Sequence, residues 1–134
     1  MARTIKYDGM KVGGLVPFAS ALVKGTDENK LVKISVSKTV VATAAENDEF
    51  QGVVRIIDGD DKTASVQVDG AVTMGYDSND PPTVGWNCLQ AGGADGTPQY
   101  TVATCVKKIS AAAGTPERMV LAVDTSAFTV TFLL

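Results

Sequence analysis

Apolar and polar residues alternate along much of this chain, which is the two-residue period of a strand with one buried face. In Val32-Lys33-Ile34-Ser35-Val36-Ser37 the branched residues Val32, Ile34 and Val36 share one face, and Lys33, Ser35 and Ser37 share the other. Ser65-Val66-Gln67-Val68-Asp69 repeats the alternation, while Thr101 to Val106 and Phe128 to Leu133 are rich in β-branched residues that favour extended backbone. Clusters of turn-forming residues separate these runs: Lys24 to Asn29, Asp58-Gly59-Asp60-Asp61, Asp77 to Pro82, and Ala91 to Gly96. About ten short strands at this spacing predict a mainly β fold, a small β-barrel or β-sandwich with little helix.

Signals for helix are short. Thr43 to Glu49 predicts a single turn, with Thr43 as its cap and Glu46 three residues on. Ser110 to Ala113 has helix propensity but meets Gly114 and Pro116 at once. Asp69-Gly70 reads in two ways. A two-residue hairpin there would set polar Gln67 against apolar Val72, so a bulge, or a bend at Gly70 without reversal, fits equally. The opening residues carry charges and the pair Gly13-Gly14. They predict an N-terminal arm over residues 1–20, followed by a single β domain over 21–134.

With 134 residues, 45% hydrophobic and 20% charged, the chain has enough apolar surface for one ordinary core. A net charge of −3 argues against a nucleic-acid partner held by phosphate contacts. There is no histidine, which removes every triad, zinc site and general-base scheme built on imidazole. The opening Met1 to Asp8 lacks the apolar core of a secretory signal. No apolar run approaches the roughly 20 residues of a membrane helix, so no membrane partner is expected.

Several motifs resemble catalytic or metal sites and are weighed against plain structure. Leu121-Ala122-Val123-Asp124-Thr125-Ser126 has the shape of an aspartic-protease motif, yet Asp124 stands ten residues from the last residue. A strand ending in an Asp-Thr-Ser turn accounts for it better. Gly52 to Asp60 is similar to a stretch of trimeric dUTP pyrophosphatases, but the tyrosine after the aspartate and the Arg-Ser-Ser loop are missing. The acidic loops at Asp58 and Asp77 contain oxygen ligands suited to Ca²⁺, but the second runs into Pro81-Pro82 without a bidentate Glu. Solvated turns are the expectation, with no metal and no cofactor. A symmetric loop centred near Ala94 would set Cys88 opposite Thr101, so Cys88 and Cys105 are expected as two reduced, buried thiols. Trp86 reads as a core anchor or an interface hot spot, and its place in the apolar segment with Val84 and Leu89 favours the core.

With catalysis poorly supported, the order of features carries the functional reading. Leu22-Val23-Lys24-Gly25 precedes the strand Leu31 to Val36 and the Ala/Thr-rich link Thr39 to Ala45. Then come Glu49-Phe50-Gln51-Gly52-Val53-Val54, Ala64 to Gly70, Thr83-Val84-Gly85-Trp86 to Gln90 before a Gly-rich loop, and Glu117 to Val123. This order resembles the small capsid decoration (cement) proteins of tailed bacteriophages, whose Phe-x-Gly-Val step, Val-x-Val-x-Gly strand and Val-Gly before a late Gly-rich loop recur here. The likeness spans roughly Leu22 to Val123.

The resemblance implies a non-enzymatic β-barrel or sandwich that assembles as a homo-oligomer, commonly a homotrimer. It would sit on the outer surface of a virion head after synthesis in the host bacterial cytoplasm, and clamp neighbouring copies of the major capsid protein. The charged opening segment, with Arg3, Lys6, Tyr7 and Lys11, is the expected capsid contact. The alternative is a β-sandwich binding module for a carbohydrate or host-surface ligand. Sugar platforms rely on exposed aromatics, and aromatics are only 6% here (Tyr7, Phe18, Phe50, Tyr76, Trp86, Tyr100, Phe128 and Phe132), several of which the core must claim.

Overall fold

Ten strands form, and no helix occurs among the residues that the computed structural model describes, 14–60, 62–93, 100–110 and 116–134. They are β1 (Leu15–Ser20), β2 (Leu31–Val36), β3 (Thr39–Ala42), β4 (Gly52–Ile57), β5 (Thr63–Gln67), β6 (Ala71–Tyr76), β7 (Gly85–Ala91), β8 (Cys105–Ile109), β9 (Glu117–Asp124) and β10 (Thr129–Leu133). The mainly β fold expected from the alternation is therefore the observed one. The strands divide between two closed five-stranded barrels, β1-β3-β2-β4-β5 and β6-β8-β7-β9-β10. Closure pairs each strand of a ring on both sides, so a strand-rich chain needs few protective prolines, and Pro17 in β1 is the one that lies within a strand of the described residues.

Four local expectations need correction. The residues 15–20 assigned to the arm are strand β1, because they pair with β5 from Leu15↔Gln67 to Ala19↔Thr63 and Phe18 packs against the first barrel's core. The strand expected over Thr101 to Val106 begins only at Cys105. Before it, Thr104 turns the chain back: its N–H donates to the Thr101 carbonyl at 3.0 Å, and its hydroxyl accepts from the Thr101 N–H at 3.0 Å. The helical turn expected at Thr43 is an irregular link instead. Asp48 Oδ2 accepts from the N–H groups of Ala44 and Ala45 at 2.9 and 3.0 Å, so Asp48 organises this link and the Thr43–Glu46 box does not form. Trp86, assigned to the core, is 63% exposed, because it lies on the outward face of β7. The Ser110 to Ala113 signal falls mostly outside the described residues.

The two barrels share one topology. Each begins with a strand that runs parallel to the third and antiparallel to the fifth. In each, the second strand pairs antiparallel with the third and the fourth. Registers coincide as well: Ala19↔Thr63 in the first barrel corresponds to Gly75↔Thr129 in the second. Val54↔Val66 corresponds to Val120↔Phe132, and both ladders slip by one residue beside that pair, at Arg55 and at Leu121. The Ser20 N–H donates to the Lys62 carbonyl at 2.9 Å, and at the matching corner Tyr76 donates to Phe128 at 3.0 Å.

Valine fills most of the first barrel, where Val32, Val40, Val54 and Val66 pack with Leu22, Ile57 and Ala64. The second barrel encloses Val72, Val106, Val120, Val130 and Phe132, and three side chains from the first barrel's half complete its core: Leu31, Phe50 and Val53. Leu31 and Val53 face each other across β2 and β4, and strand alternation turns them away from their own barrel and into the second. Full burial of such side chains contributes about 1.5–3 kcal/mol each, so the junction is a substantial part of the fold.

Candidate functional site

Most of the polar side chains at the barrel junction are tied down by hydrogen bonds. Gln67 is completely buried, and its amide nitrogen donates to the carbonyls of Asp69 at 2.9 Å and Ala71 at 3.1 Å. Its oxygen accepts from Arg55 Nε at 2.8 Å, and Arg55 reaches on to Asn29 Oδ1 at 2.7 Å. The chain therefore bends at Asp69-Gly70 without forming a hairpin, with Gly70 at φ 83°. Gly52 is required beside it, because a Cβ would stand 2.5 Å from the Gln67 carbonyl oxygen. Across the junction Arg118 lies 4.5 Å from the centre of the Phe50 ring and donates to the Phe50 carbonyl at 2.9 Å. Burial lowers the Arg118 pKa, and its Nε has no hydrogen-bond partner. Sequence reasoning marked Phe50, Gly52 and Val53 as a motif but had no signal for the Gln67 clamp, which looked like the polar half of an alternating strand.

An acidic group also gathers at the second barrel. Carboxylate oxygens of Glu46, Asp77 and Asp80 lie within 4.8 Å of one another. Lys107 already supplies their cation, with Nζ 2.6 Å from Glu46 and 3.6 Å from Asp80. Burial opposes its charge, but the hydrogen bond to Glu46 and the attraction of Glu46 and Asp80 outweigh this and raise its pKa. Buried Asp77 holds the backbone: its two oxygens accept from Asn79 and Gly93, both at 2.9 Å. The acidic loop at Asp77 is thus a structural latch. In the other acidic loop, Asp60 accepts from the Lys62 N–H at 3.0 Å, while Asp61 lies outside the described residues.

The remaining catalytic look-alikes take their structural roles. Asp124 Oδ1 accepts from Ser126 and Ala127 at 2.9 and 3.0 Å and so closes the β9–β10 turn. Gly52 to Ile57 is strand β4, followed by the acidic turn. Cys88 pairs opposite Ile109, and both cysteines are buried as thiols. Burial and the nearby Asp77 charge push the Cys105 thiol up to about 11, which makes it unreactive at neutral pH.

The expected capsid contacts Arg3, Lys6, Tyr7 and Lys11 lie outside the described residues. Within them, the feature left over is an apolar surface. Trp86 and Val84 are 63% and 70% exposed at one face of the second barrel. There Trp86, Pro116, Met119, Leu133 and Leu134 line a shallow groove together with Glu117 and Arg118. On the first barrel Val16, Ile34 and Val36 are exposed by 39%, 48% and 64%. No family model matches the chain, and no curated protein or solved structure is significantly similar to it.

Proposed function

We propose that this protein is a structural capsid decoration protein of a tailed bacteriophage. It binds the outer surface of the head, stabilises the lattice of the major capsid protein and associates with copies of itself, commonly as a trimer. The observation that carries this reading is the apolar surface on both barrels, where side chains of β1, β2 and β7 stand free of the core. Large exposed apolar side chains grouped on a small protein mark contact with other proteins. The ordered motifs from Leu22 to Val123 support the same reading, and the absence of histidine is consistent with a role that needs no catalyst.

Many copies on a repeating lattice make weak single contacts cumulative, because a neighbour rebinds at high effective concentration. A carbohydrate platform fits less well: Trp86 is the one aromatic classed as exposed among the described residues, so no second exposed ring among them extends a stacking surface. Co-sedimentation with purified heads stripped of accessory proteins tests the proposal. Saturable pelleting at a lattice-like ratio is expected, and removal of residues 1–13 should weaken it through the loss of Arg3, Lys6, Tyr7 and Lys11. A full chain that stays in the supernatant refutes the reading, and unchanged binding of the truncated chain removes the arm from it.

A further inference from the structure

The matching registers show that one barrel-to-barrel interface is made within the chain while its counterpart is left open. Leu31 pairs with Val53 across β2 and β4, and at the same place in the second barrel Trp86 pairs with Met119 across β7 and β9. Gln67 likewise corresponds to Leu133, since Leu15↔Gln67 matches Ala71↔Leu133. Leu31, Val53 and Gln67 are all buried between the barrels. Their counterparts Trp86, Met119 and Leu133 line the apolar groove, with Trp86 63% and Leu133 37% exposed. The second barrel therefore presents the face by which the first barrel docks, with none of the described residues docked on it.

The receiving surface shows the converse. In the second barrel Val72 and Ala91 are buried, by 2% and 0% exposure, where the Leu31–Phe50–Val53 insertion and its link close over them. The Ala91 N–H takes the carbonyl of incoming Asp48 at 2.9 Å. Their counterparts on the first barrel are Val16, by the β1–β5 register, and Ile34, by the β2–β3 register. These two are 39% and 48% exposed, and the Ile34 N–H is satisfied by the Gln51 side chain at 2.8 Å. Between its two partner strands β7 carries two more residues than β2, an even number that preserves which face each side chain takes.

We infer that the groove formed by Trp86, Met119 and Leu133 on the second barrel docks the Val16–Ile34 surface on the first barrel of another copy of this chain. The contact repeats between chains the interface already made within one. It is heterologous, head to tail, and so builds a ring where the rotation closes and an open chain where it does not. The inference deepens the self-association in the function proposed above and rests on it.

The test uses the full chain without heads, so its failure is distinguishable from failure of capsid binding, which sedimentation reads separately. Light scattering should give a mass above the 13.9 kDa of one chain. Trp86→Glu removes one face and Ile34→Glu the other, so each variant alone should be a monomer. An equimolar mixture should then recover a complex of two copies and no more, since each partner retains a single working face. Thermal melts followed by circular dichroism check that both variants fold. The unaltered chain gives a reading that needs no variant: Trp86 is its sole tryptophan, and its emission should shift to the blue as concentration rises. A wild-type monomer with constant emission overturns the inference. So do variants that keep the wild-type mass, and so does a mixture that stays monomeric.

Discussion

Replacing Phe50 with alanine tests the shared core most directly. The side chain is 2% exposed, stands edge-on to Phe132 at 6.0 Å between ring centres, and lies under the Arg118 guanidinium. Truncation of a buried phenylalanine costs about 3–5 kcal/mol, which already includes the aromatic contact of about 0.5–1.5 kcal/mol. Loss of the cation–π contact puts the expected value near the middle of that range, about 4 kcal/mol. At a urea dependence of about 1.5–2 kcal/mol per molar, the unfolding midpoint falls by about 2–3 M.

The two barrels should respond together in the wild type, since neither half has the core of an independent domain of ordinary size. At concentrations below those of self-association Trp86 reports on the second barrel alone, whereas far-ultraviolet circular dichroism reports on both. Coincident urea transitions by the two probes are expected for the wild type. In Phe50→Ala the fluorescence transition should move first, because Phe50 belongs to the core of the second barrel and not of the first. A loss below about 1 kcal/mol, or wild-type transitions that do not coincide, refutes the reasoning that Leu31, Phe50 and Val53 join the barrels into one cooperative unit.

Further outcomes follow from other contacts. In Gly75→Ala the new methyl meets the Tyr100 ring at 2.6 Å, so the ring must leave and give up its bond to the Ala127 carbonyl; a loss of about 1–3 kcal/mol in urea unfolding is expected, and an unchanged midpoint contradicts this. The hydrogen bond from Lys33, with that from the Ala44 N–H, holds the Asp48 carboxyl below its usual range. Its contribution is therefore present above the unfolded value near 3.8 and is lost as pH falls through the lower folded value. Asp48→Asn should be less stable than wild type at pH 7, and the gap should narrow in acid; a gap that widens in acid reverses the sign and refutes it. Cys105, with its thiol raised to about 11, should resist a thiol reagent at pH 8 in the folded protein and react after denaturation. Rapid labelling of the native chain at that site disproves its burial.

Alternation marks β2 and β5, and a run of β-branched residues marks β10, although β2 buries Leu31 and Val32 and leaves Ile34 and Val36 of the alternating face exposed. Missing histidine likewise narrows the chemistry before any fold is known. Thr101 to Thr104 misled because β-branched residues favour extension, while a threonine hydroxyl that bonds its own neighbours favours a turn. Trp86 misled for a different reason: an apolar residue in an apolar segment carries no mark of which face its strand will turn inward.

What the sequence determines is local: the period of the strands, the turns between them, the glycine at position 52 and the charges available. Which strands pair, and that they close into two rings, depends on contacts between residues far apart in the chain. The duplication is equally hidden. Leu15–Ser20 and Ala71–Tyr76 occupy the same place in the two barrels yet share only the valine at their second position. Backbone hydrogen bonding sets the topology and tolerates any side chains that fill the same interior. Tertiary structure alone decides that Leu31 is buried while Trp86, its counterpart, is left on the surface, because one has a second barrel beside it and the other does not.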